Sequence, residues 1–182
     1  MTTIKLSTGA EMPIIGLGTW LAEPGKVKRA VETAIDEGYR LIDGAFIYNN
    51  EKEIGEALQN KIEAGKLKRE DIFITTKIWA TYLAPEKIEV CLRKSLDSLQ
   101  LDYVDLLLLH IPCPLKKKEN SEEYEVVDGK PVFEDIDYLD SWKGMERVFN
   151  KGLAKAIGVS NYNQEQLQRL YDNSTVKPHN LQ

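Results

Sequence analysis

The feature that most constrains the fold of this chain is a series of short apolar segments that each run into a polar or aromatic residue. The five segments, with the residues that follow them, are 14–18 into Thr19 and Trp20, 41–42 into Asp43, 72–76 into Lys77, 106–109 into His110, and 156–159 into Ser160 and Asn161. Parallel strands read as continuous apolar runs because helices cover the sheet. Asp43, Lys77 and His110 lie 34 and 33 residues apart, about one β/α unit each. We therefore predict a parallel α/β fold of the barrel type, whose active site lies at the carboxyl ends of the strands.

Between these segments, apolar residues recur at three- and four-residue spacing, which predicts five amphipathic helices. Their predicted buried faces are Val27, Ala30, Val31, Ala34 and Ile35; Ile54, Ala57, Leu58 and Ile62; Ile88, Leu92, Leu96 and Leu99; Trp142, Met145, Val148 and Phe149; and Leu167, Leu170 and Tyr171. The predicted helix ends are a capping box of Asn50 with Glu53, Pro85 in a first turn, Gly152 at a carboxyl terminus, and Asn163 at the start of the fifth helix. Residues 3–13 form a predicted hairpin ahead of the barrel.

A long segment between His110 and Asp140 has no apolar periodicity and many charges. Loops of this length in compact domains are usually functional lids or disordered. Because the preceding segment ends at the predicted active rim, we favour a lid-like binding loop over a disordered one.

Composition excludes several classes of function. The 182 residues fit a single domain, with 42% hydrophobic and 29% charged residues. A net charge of -5 and a pI near 5.2 argue against a nucleic-acid partner, and no apolar stretch reaches the roughly 18 residues of a membrane span. The amino terminus lacks the apolar core of a signal peptide, and two cysteines fit a reducing compartment, so we expect a cytoplasmic protein. Cys91 lies in a predicted helix, where we expect a buried, inert thiol.

The residues at the predicted rim suggest general acid catalysis. Asp43 and Lys77 end adjacent strands and can form an ion pair, and Tyr48 follows Asp43 by five residues. A tyrosine titrates near pH 10, so it is a poor acid at neutral pH unless a neighbouring cation favours its phenolate. Lys77 can supply that cation while Asp43 holds Lys77 charged and in place. His110 can donate a hydrogen bond to a substrate oxygen.

Each of these residues also has a structural interpretation. An Asp–Lys pair on neighbouring strands, a loop tyrosine and a histidine that ends a leucine run are each commonly structural, and only their joint placement at successive strand ends favours catalysis. Other motifs are missing from the sequence, namely a G-x-G-x-x-G after a strand, a Walker motif and H-E-x-x-H. His179 is too isolated to suggest a ligand set, so we expect no metal site.

Several longer motifs resemble those of the aldo-keto reductases. They are G-L-G-T-W at 16–20, G-Y-R-L-I-D at 38–43, Y-N-N-E at 48–51, I-T-T-K-I-W at 74–79, L-D-Y-V-D-L at 101–106 and G-V-S-N-Y at 158–162. The motifs span nearly the whole chain in the family's order, and several together are far more specific than any one alone.

The resemblance implies a (β/α)8 barrel that reduces aldehydes or ketones to alcohols with NADPH. By matched motif, the catalytic residues would be Tyr48 as proton donor, Lys77 as the cation that lowers its pKa, Asp43 as the residue that orients Lys77, and His110 as the group that positions the carbonyl. The cofactor-binding residues would be Thr19, Trp20, Asp43, Ser160, Asn161 and Gln182. The substrate pocket would be lined by Trp20, Tyr48, Trp79, His110 and Ile111.

Two departures from the family pattern bear on function. Ile111 stands where family members often carry an aromatic residue, so the resemblance does not identify the carbonyl substrate. The chain also ends at Gln182, where the resemblance places the start of a sixth strand, with the loops for the cofactor phosphates beyond it. We therefore expect residues 1–182 to form one partial barrel domain of a hairpin and about five β/α units, with open edges and an uncovered apolar interior. A catalytically inactive truncated fragment or isoform is the alternative to an active reductase.

Overall fold

The computed structural model describes residues 2–182 and is built around a five-stranded parallel sheet. In chain order its strands and helices are β1 (Thr3–Lys5), β2 (Glu11–Pro13), β3 (Leu17–Gly18), α1 (Val27–Asp36), β4 (Leu41–Asp43), α2 (Glu51–Glu63), β5 (Phe73–Ile78), α3 (Ile88–Leu99), β6 (Val104–Leu109), β7 (Val126–Val127), β8 (Lys130–Pro131), α4 (Tyr138–Asn150), β9 (Ala154–Val159) and α5 (Gln164–Asn173). The sheet runs β3-β4-β5-β6-β9 with every neighbouring pair parallel. The predicted parallel α/β arrangement is confirmed, and so is the hairpin of β1 with β2.

The first strand of the sheet is shorter than the sequence predicts. Only Leu17 and Gly18 pair with β4, whereas Ile14 and Ile15 are 53% and 61% exposed. The N–H of Ile14 donates to the carbonyl of Thr2 at 3.2 Å, so this residue continues the hairpin instead of the parallel sheet. The prediction of a buried strand over 14–18 is therefore wrong for its first half.

The alternating side chains of the parallel strands face two different apolar clusters. On one face, residues such as Ile74 and Leu107 pack with side chains from all five helices. On the other face, the packed residues are Leu6, Leu41, Phe73, Leu106, Leu108 and Ala156, with Met12 against them. These six residues are at most 7% exposed, because Leu6 and Met12 of the amino-terminal hairpin lie against the strands. The expectation of an uncovered apolar interior is wrong for this part of the sheet.

The last residues of the chain lie along β9. The N–H of Val159 donates to the carbonyl of Asn180 at 3.1 Å, and the N–H of Gln182 donates to the carbonyl of Val159 at 3.0 Å. A parallel bridge joins Val159 to Leu181. The predicted start of a sixth strand is confirmed.

The helices occupy their predicted places, with local differences. Ile88, Leu92, Leu96 and Leu99 are all buried, and Gly152 has a φ of 73° where the sequence predicts a left-handed residue after α4. Asn163 caps α5 in a capping box with Gln166. Pro85 precedes α3 instead of lying in its first turn. Ala30 and Tyr171 are exposed, contrary to prediction, so the buried stripes of α1 and α5 are narrower than the sequence pattern indicates.

The predicted capping box at the start of α2 is wrong. Asn50 is the N-cap residue, but its side chain makes no cap hydrogen bond: its amide donates to the carbonyl of Thr19 at 2.8 Å, and its side-chain oxygen lies 3.5 Å from the Thr19 hydroxyl. The Glu53 carboxylate accepts hydrogen bonds from main-chain N–H groups at the start of α1 instead of the Asn50 N–H. Both side chains therefore join α2 to the segment between β3 and α1.

The segment between His110 and Asp140 is ordered as a β-ribbon. Its strands β7 and β8 are antiparallel, and bridges from Leu115 to Phe133 and from Lys117 to Tyr124 extend the ribbon. Glu122 accepts hydrogen bonds from Lys94 of α3 and from Lys117, and it also pairs with Tyr82. The expectation of a lid-like loop is not supported, because this network fixes the ribbon against α3.

Other features of the described residues concern reactivity and membrane insertion. Cys91 is buried, as predicted, and burial raises its thiol pKa to about 12, which disfavours the reactive thiolate. Cys113 is exposed and unpaired within residues 2–182. Across the same residues, no helix has the length and apolar character needed to cross a membrane.

Candidate active site

The four predicted catalytic residues meet at the carboxyl ends of β4, β5 and β6. Lys77 is the central group: its side chain is 1% exposed, and its Nζ lies 2.9 Å from each carboxylate oxygen of Asp43. The same nitrogen donates to the carbonyl of Gly44 at 2.9 Å and contacts the Tyr48 hydroxyl at 3.4 Å. The sheet register makes this possible, because Asp43 pairs with Thr75, two residues before Lys77 on the same face of β5.

Tyr48 reaches this group from a short 3₁₀ turn, Phe46–Tyr48, that follows β4. Asn49 ends the turn in the left-handed conformation, with a φ of 55°, and α2 begins two residues later. The ring of Tyr48 packs edge-to-face against His110 at a centroid distance of 5.7 Å. His110 packs in the same manner against Trp79 at 5.3 Å. Three aromatic side chains thus surround one face of the site.

The protonation states of Lys77 and Tyr48 follow from burial and from Asp43. Burial lowers the pKa of Lys77, and the Asp43 carboxylate opposes that change by favouring the ammonium form. Burial also raises the pKa of the Tyr48 phenol above its usual value, and the negative charge of Asp43 raises it further. The pKa of Tyr48 is therefore raised and not lowered as predicted, because burial and the Asp43 charge outweigh the effect of Lys77. Tyr48 keeps its proton at neutral pH.

His110 is neutral in this environment. Burial lowers its pKa to about 4, and the charge of Lys77 acts in the same direction against the weaker effect of Asp43. Its Nδ1 atom is buried and has no hydrogen-bond partner within residues 2–182. A neutral imidazole carries one N–H group, so His110 can donate a single hydrogen bond.

Tyr48 and His110 border an open cavity of about 890 Å³. The cavity is lined by Trp20, Leu21, Ala22, Glu23, Pro24, Ile47, Tyr48, Trp79, His110, Ile111, Ser160, Asn161 and Gln182. All five predicted pocket residues are among them. Of the ribbon segment that follows β6, only His110 and Ile111 at its start contribute to the described lining.

Three predicted cofactor-binding residues meet beside β9. The Asn161 side-chain amide donates to the carbonyl of His110 at 2.8 Å and to the Ser160 hydroxyl at 3.0 Å. The Gln182 amide donates to Asp43 at 3.2 Å, and its main-chain carbonyl accepts from the Asn161 N–H at 3.1 Å. Within residues 2–182, no hydrogen bond reaches the side-chain oxygens of Asn161 and Gln182, so both remain available as acceptors.

Thr19 does not reach the cavity although Trp20 does. Its hydroxyl is buried and donates to the main-chain carbonyl of Asp43 at 3.1 Å. Trp20, by contrast, lines the cavity and is 69% exposed. The position of Thr19 therefore does not support a direct contact with the cofactor. Its hydrogen bond to Asp43 instead holds the end of β3 against β4.

Sequence reasoning missed the buried carboxylate of Glu51, the first residue of α2. Glu51 accepts a hydrogen bond from the Thr76 hydroxyl at 2.5 Å, and Thr76 directly precedes Lys77. Burial raises the pKa of Glu51, while hydrogen bonds from Thr76 and Ser95 oppose that change. In the sequence, only its place in the Y-N-N-E motif pointed to Glu51. An acidic residue there is equally expected in the first turn of a helix, where it interacts favourably with the helix dipole.

The sequence profile of the Aldo/keto reductase family matches residues 14–182. Among curated relatives, D-galacturonate reductase from Hypocrea jecorina is 49% identical over 179 residues, which is 97% of this chain and 57% of the relative. Aldo-keto reductase family 1 member A1 from Gallus gallus is 47% identical over 180 residues, covering 98% of this chain and 55% of the relative. The chain thus spans about half the length of these relatives.

Solved structures agree in fold. The aldose reductase from Schistosoma japonicum superposes with a TM-score of 0.95 at 42% identity, covering 100% of this chain and 60% of that one. A Bombyx mori aldo-keto reductase in complex with NADP has a TM-score of 0.88 at 38% identity, covering 99% and 57%. The five parallel strands with their helices correspond to part of the barrel in these proteins, which confirms the predicted fold class. On profile, identity and fold together, the chain belongs to the aldo/keto reductase family.

Proposed function

We propose that this chain carries the catalytic residues of an NADPH-dependent reductase that converts aldehydes or ketones to alcohols, with Tyr48 as the proton donor. The observation that carries the proposal is the contact of the Tyr48 hydroxyl with the Lys77 ammonium, which Asp43 holds at 2.9 Å, beside the cavity. An acid at the cavity wall, with a cation and a fixed counter-charge behind it, suits the protonation of an oxygen that gains negative charge during reduction.

Tyr48 combines two properties that a proton donor needs. Its raised pKa keeps the phenol protonated before the reaction. When the proton leaves, the phenolate forms 3.4 Å from the ammonium of Lys77, whose charge stabilises it at that moment. Asp43 holds Lys77 in place and keeps it charged despite its burial, so the stabilising cation is positioned before the reaction begins.

His110 serves to orient the carbonyl. Because it is neutral, it does not compete with Tyr48 as an acid, and its N–H group can donate a hydrogen bond to the carbonyl oxygen. Trp79 and Tyr48 pack against its ring and restrict its rotation. The carbonyl oxygen can therefore be held between His110 and Tyr48.

The nicotinamide end of the cofactor fits the groups beside β9. The free side-chain oxygens of Asn161 and Gln182 match the N–H donors of a carboxamide, and Ser160 supplies a neighbouring hydroxyl. NADPH, when bound, would supply the hydride that adds to the carbonyl carbon. The choice of NADPH rests on the family and on the Bombyx mori relative, whose structure contains NADP.

The proposed substrate is a small-molecule aldehyde or ketone. Trp20, Trp79, Ile47 and Ile111 give the cavity mostly apolar walls around the polar groups of the site. Such walls hold the body of an organic carbonyl compound while Tyr48 and His110 recognise its oxygen.

Replacing Tyr48 tests the proposal. In the whole protein, Tyr48→Phe should lower kcat for carbonyl reduction by about a thousandfold, which is within the range for loss of a general acid. NADPH binding, followed by quenching of protein fluorescence, should stay close to the wild-type value because the ring is retained. Tyr124→Phe, which removes a hydroxyl from the exposed ribbon, is the matched control and should leave both measurements unchanged. Normal turnover in Tyr48→Phe would show that another group is the acid.

A further inference from the structure

We propose that Glu53 is a positioning residue that fixes the cavity wall formed by residues 20–24, and that this wall sets the affinity for the part of the substrate away from the carbonyl group. The kinetic part of this inference rests on the proposed function. The structural part does not, because it concerns the wall itself.

Glu53 lies in the first turn of α2, but its carboxylate serves the neighbouring helix. One oxygen accepts from the N–H of Gly25 at 2.9 Å, and the other accepts from the N–H groups of Val27 and Lys28 at 3.0 and 3.2 Å. The first N–H groups of a helix have no partner within the helix. α1 has no side-chain cap of its own and no acidic residue in its first turn, so Glu53 supplies both the acceptor and the negative charge.

The wall is otherwise weakly held. Trp20 and Leu21 are among the most exposed apolar side chains, and Leu21 adopts a φ of 56°, which is unfavourable for a side chain of this size. Two described main-chain hydrogen bonds involve the wall: the Ala22 N–H donates to the carbonyl of Thr19 at 3.4 Å, and the Lys26 N–H donates to the carbonyl of Glu23 at 3.1 Å.

Both ends of the wall are tied to the same helix turn. The Asn50 side chain donates to the carbonyl of Thr19 at 2.8 Å at one end, and Glu53 holds Gly25 at the other. Since Tyr48 lies just before this turn, the turn sets the distance between the wall and the proton donor. Loss of the Glu53 anchor should therefore displace the wall without disturbing the ion pair of Asp43 with Lys77.

The first experiment follows the wall directly. Residues 1–182 contain three tryptophans, so the whole protein labelled with 5-fluorotryptophan gives a ¹⁹F signal for each of them, and the signals of Trp20 and Trp142 are assigned with Trp20→Phe and Trp142→Phe. In Glu53→Gln one half of the carboxylate becomes an N–H₂ group, which cannot accept the Gly25 or the Val27 and Lys28 N–H groups. We expect the Trp20 signal to shift and change in width while the signal of the buried Trp142 stays in place.

Glu56→Gln is the matched control. Glu56 lies on the same helix and pairs with the Lys28 side chain at 3.2 Å, so the variant removes the same charge without removing an acceptor for the main-chain N–H groups at the start of α1. Glu53→Asp keeps the charge but shortens the reach, and it provides a second variant if Glu53→Gln folds poorly. A Trp20 signal identical to that of the wild type in folded Glu53→Gln and Glu53→Asp overturns the proposal.

The second experiment separates binding from chemistry in the whole protein. Glu53→Gln should raise KM for an aromatic aldehyde such as benzaldehyde by about tenfold, with kcat nearly unchanged and KM for propanal little affected. Equal losses of kcat for both aldehydes at constant KM would mean that Glu53 acts through the catalytic residues, and would contradict the proposal. If the wild type reduces neither aldehyde, the proposed function fails, whereas the ¹⁹F signals still decide the role of Glu53.

Discussion

Burial holds the two aromatic residues of the site, Tyr48 and His110, in their neutral forms. For Tyr48 this preserves the proton that it is proposed to donate, and for His110 it preserves a single N–H donor. The charge of the site is thereby confined to Asp43 and Lys77, which pair with each other at 2.9 Å. The site can thus respond to negative charge on a substrate oxygen without carrying excess charge beforehand.

The neutral His110 should make stability depend on pH. Its pKa is about 4 in the folded protein against 6.5 for an ordinary histidine, so between these values the unfolded chain binds the additional proton. Stability from this group is therefore complete above about pH 6.5 and is lost as the pH falls toward 4. Urea unfolding at about pH 7 and about pH 4.5 should show a smaller loss of unfolding free energy in His110→Gln than in the wild type. Equal losses in the two proteins would show that the imidazole is not held neutral.

The identities of the site residues could be predicted from the sequence, but the direction of the Tyr48 pKa could not. Asp43, Lys77 and His110 end successive apolar segments, and parallel strands bring such ends together. The pKa depends instead on how deeply the phenol is buried and on the carboxylate already bound to Lys77. Both are properties of the assembled sheet.

At the scale of elements, the first turn of α2 joins more of the site than any motif indicates. Asn50 contacts the end of β3, Glu51 contacts Thr76 of β5, and Glu53 contacts α1. The spacing of Asn50 and Glu53 predicted a capping box within one helix, but the Asn50 amide donates to the carbonyl of Thr19, and the Glu53 carboxylate accepts from the main chain of α1. A sequence pattern shows that a side chain can accept a main-chain hydrogen bond, but packing decides which N–H group donates it.

The ribbon between β6 and α4 is a second element whose structure the sequence did not indicate, because no apolar periodicity marks its strands. Its charges are used in the network of Glu122 with Lys94 and Lys117 at 2.7 and 2.8 Å. Partial burial acts to raise the pKa of the Glu122 carboxyl group. The hydrogen bonds from Lys117, Lys94 and Tyr82 outweigh this effect and lower the pKa to about 2. The charges that suggested a lid-like binding loop therefore pair with one another and with α3.

Glu122→Gln should loosen the ribbon without changing catalysis. Loss of these charge-assisted contacts should speed amide hydrogen exchange over residues 116–132 by about tenfold, because less free energy opposes local opening. The value of kcat/KM should stay at the wild-type level, since this part of the ribbon does not line the described cavity. Glu123→Gln is the control, because its carboxylate lies 3.8 Å from Lys118 at the surface. A large fall in kcat/KM for Glu122→Gln alone would restore the lid interpretation.

At the scale of the whole molecule, the two faces of the sheet are closed by different means. Five helices cover one face, and the amino-terminal hairpin packs Leu6 and Met12 against the other. The order and direction of the strands could be predicted from the alternation of apolar segments and helices. The cover supplied by the hairpin could not, because its strands have only three residues each and no apolar run marks them as core.

This closure predicts that residues 1–182 unfold as one cooperative unit. One contiguous cluster joins strands β4, β5, β6 and β9 to all five helices, so loss of any helix exposes the core that the others share. Trp142 is a suitable local probe, because it is 1% exposed and its indole N–H donates to the carbonyl of Val176 at 2.9 Å. Urea transitions followed by tryptophan fluorescence and by far-UV circular dichroism should therefore coincide. If circular dichroism decreases at lower urea than fluorescence does, part of the sheet, such as the short pairing of β3 with β4, unfolds independently, and residues 1–182 do not form a single cooperative domain.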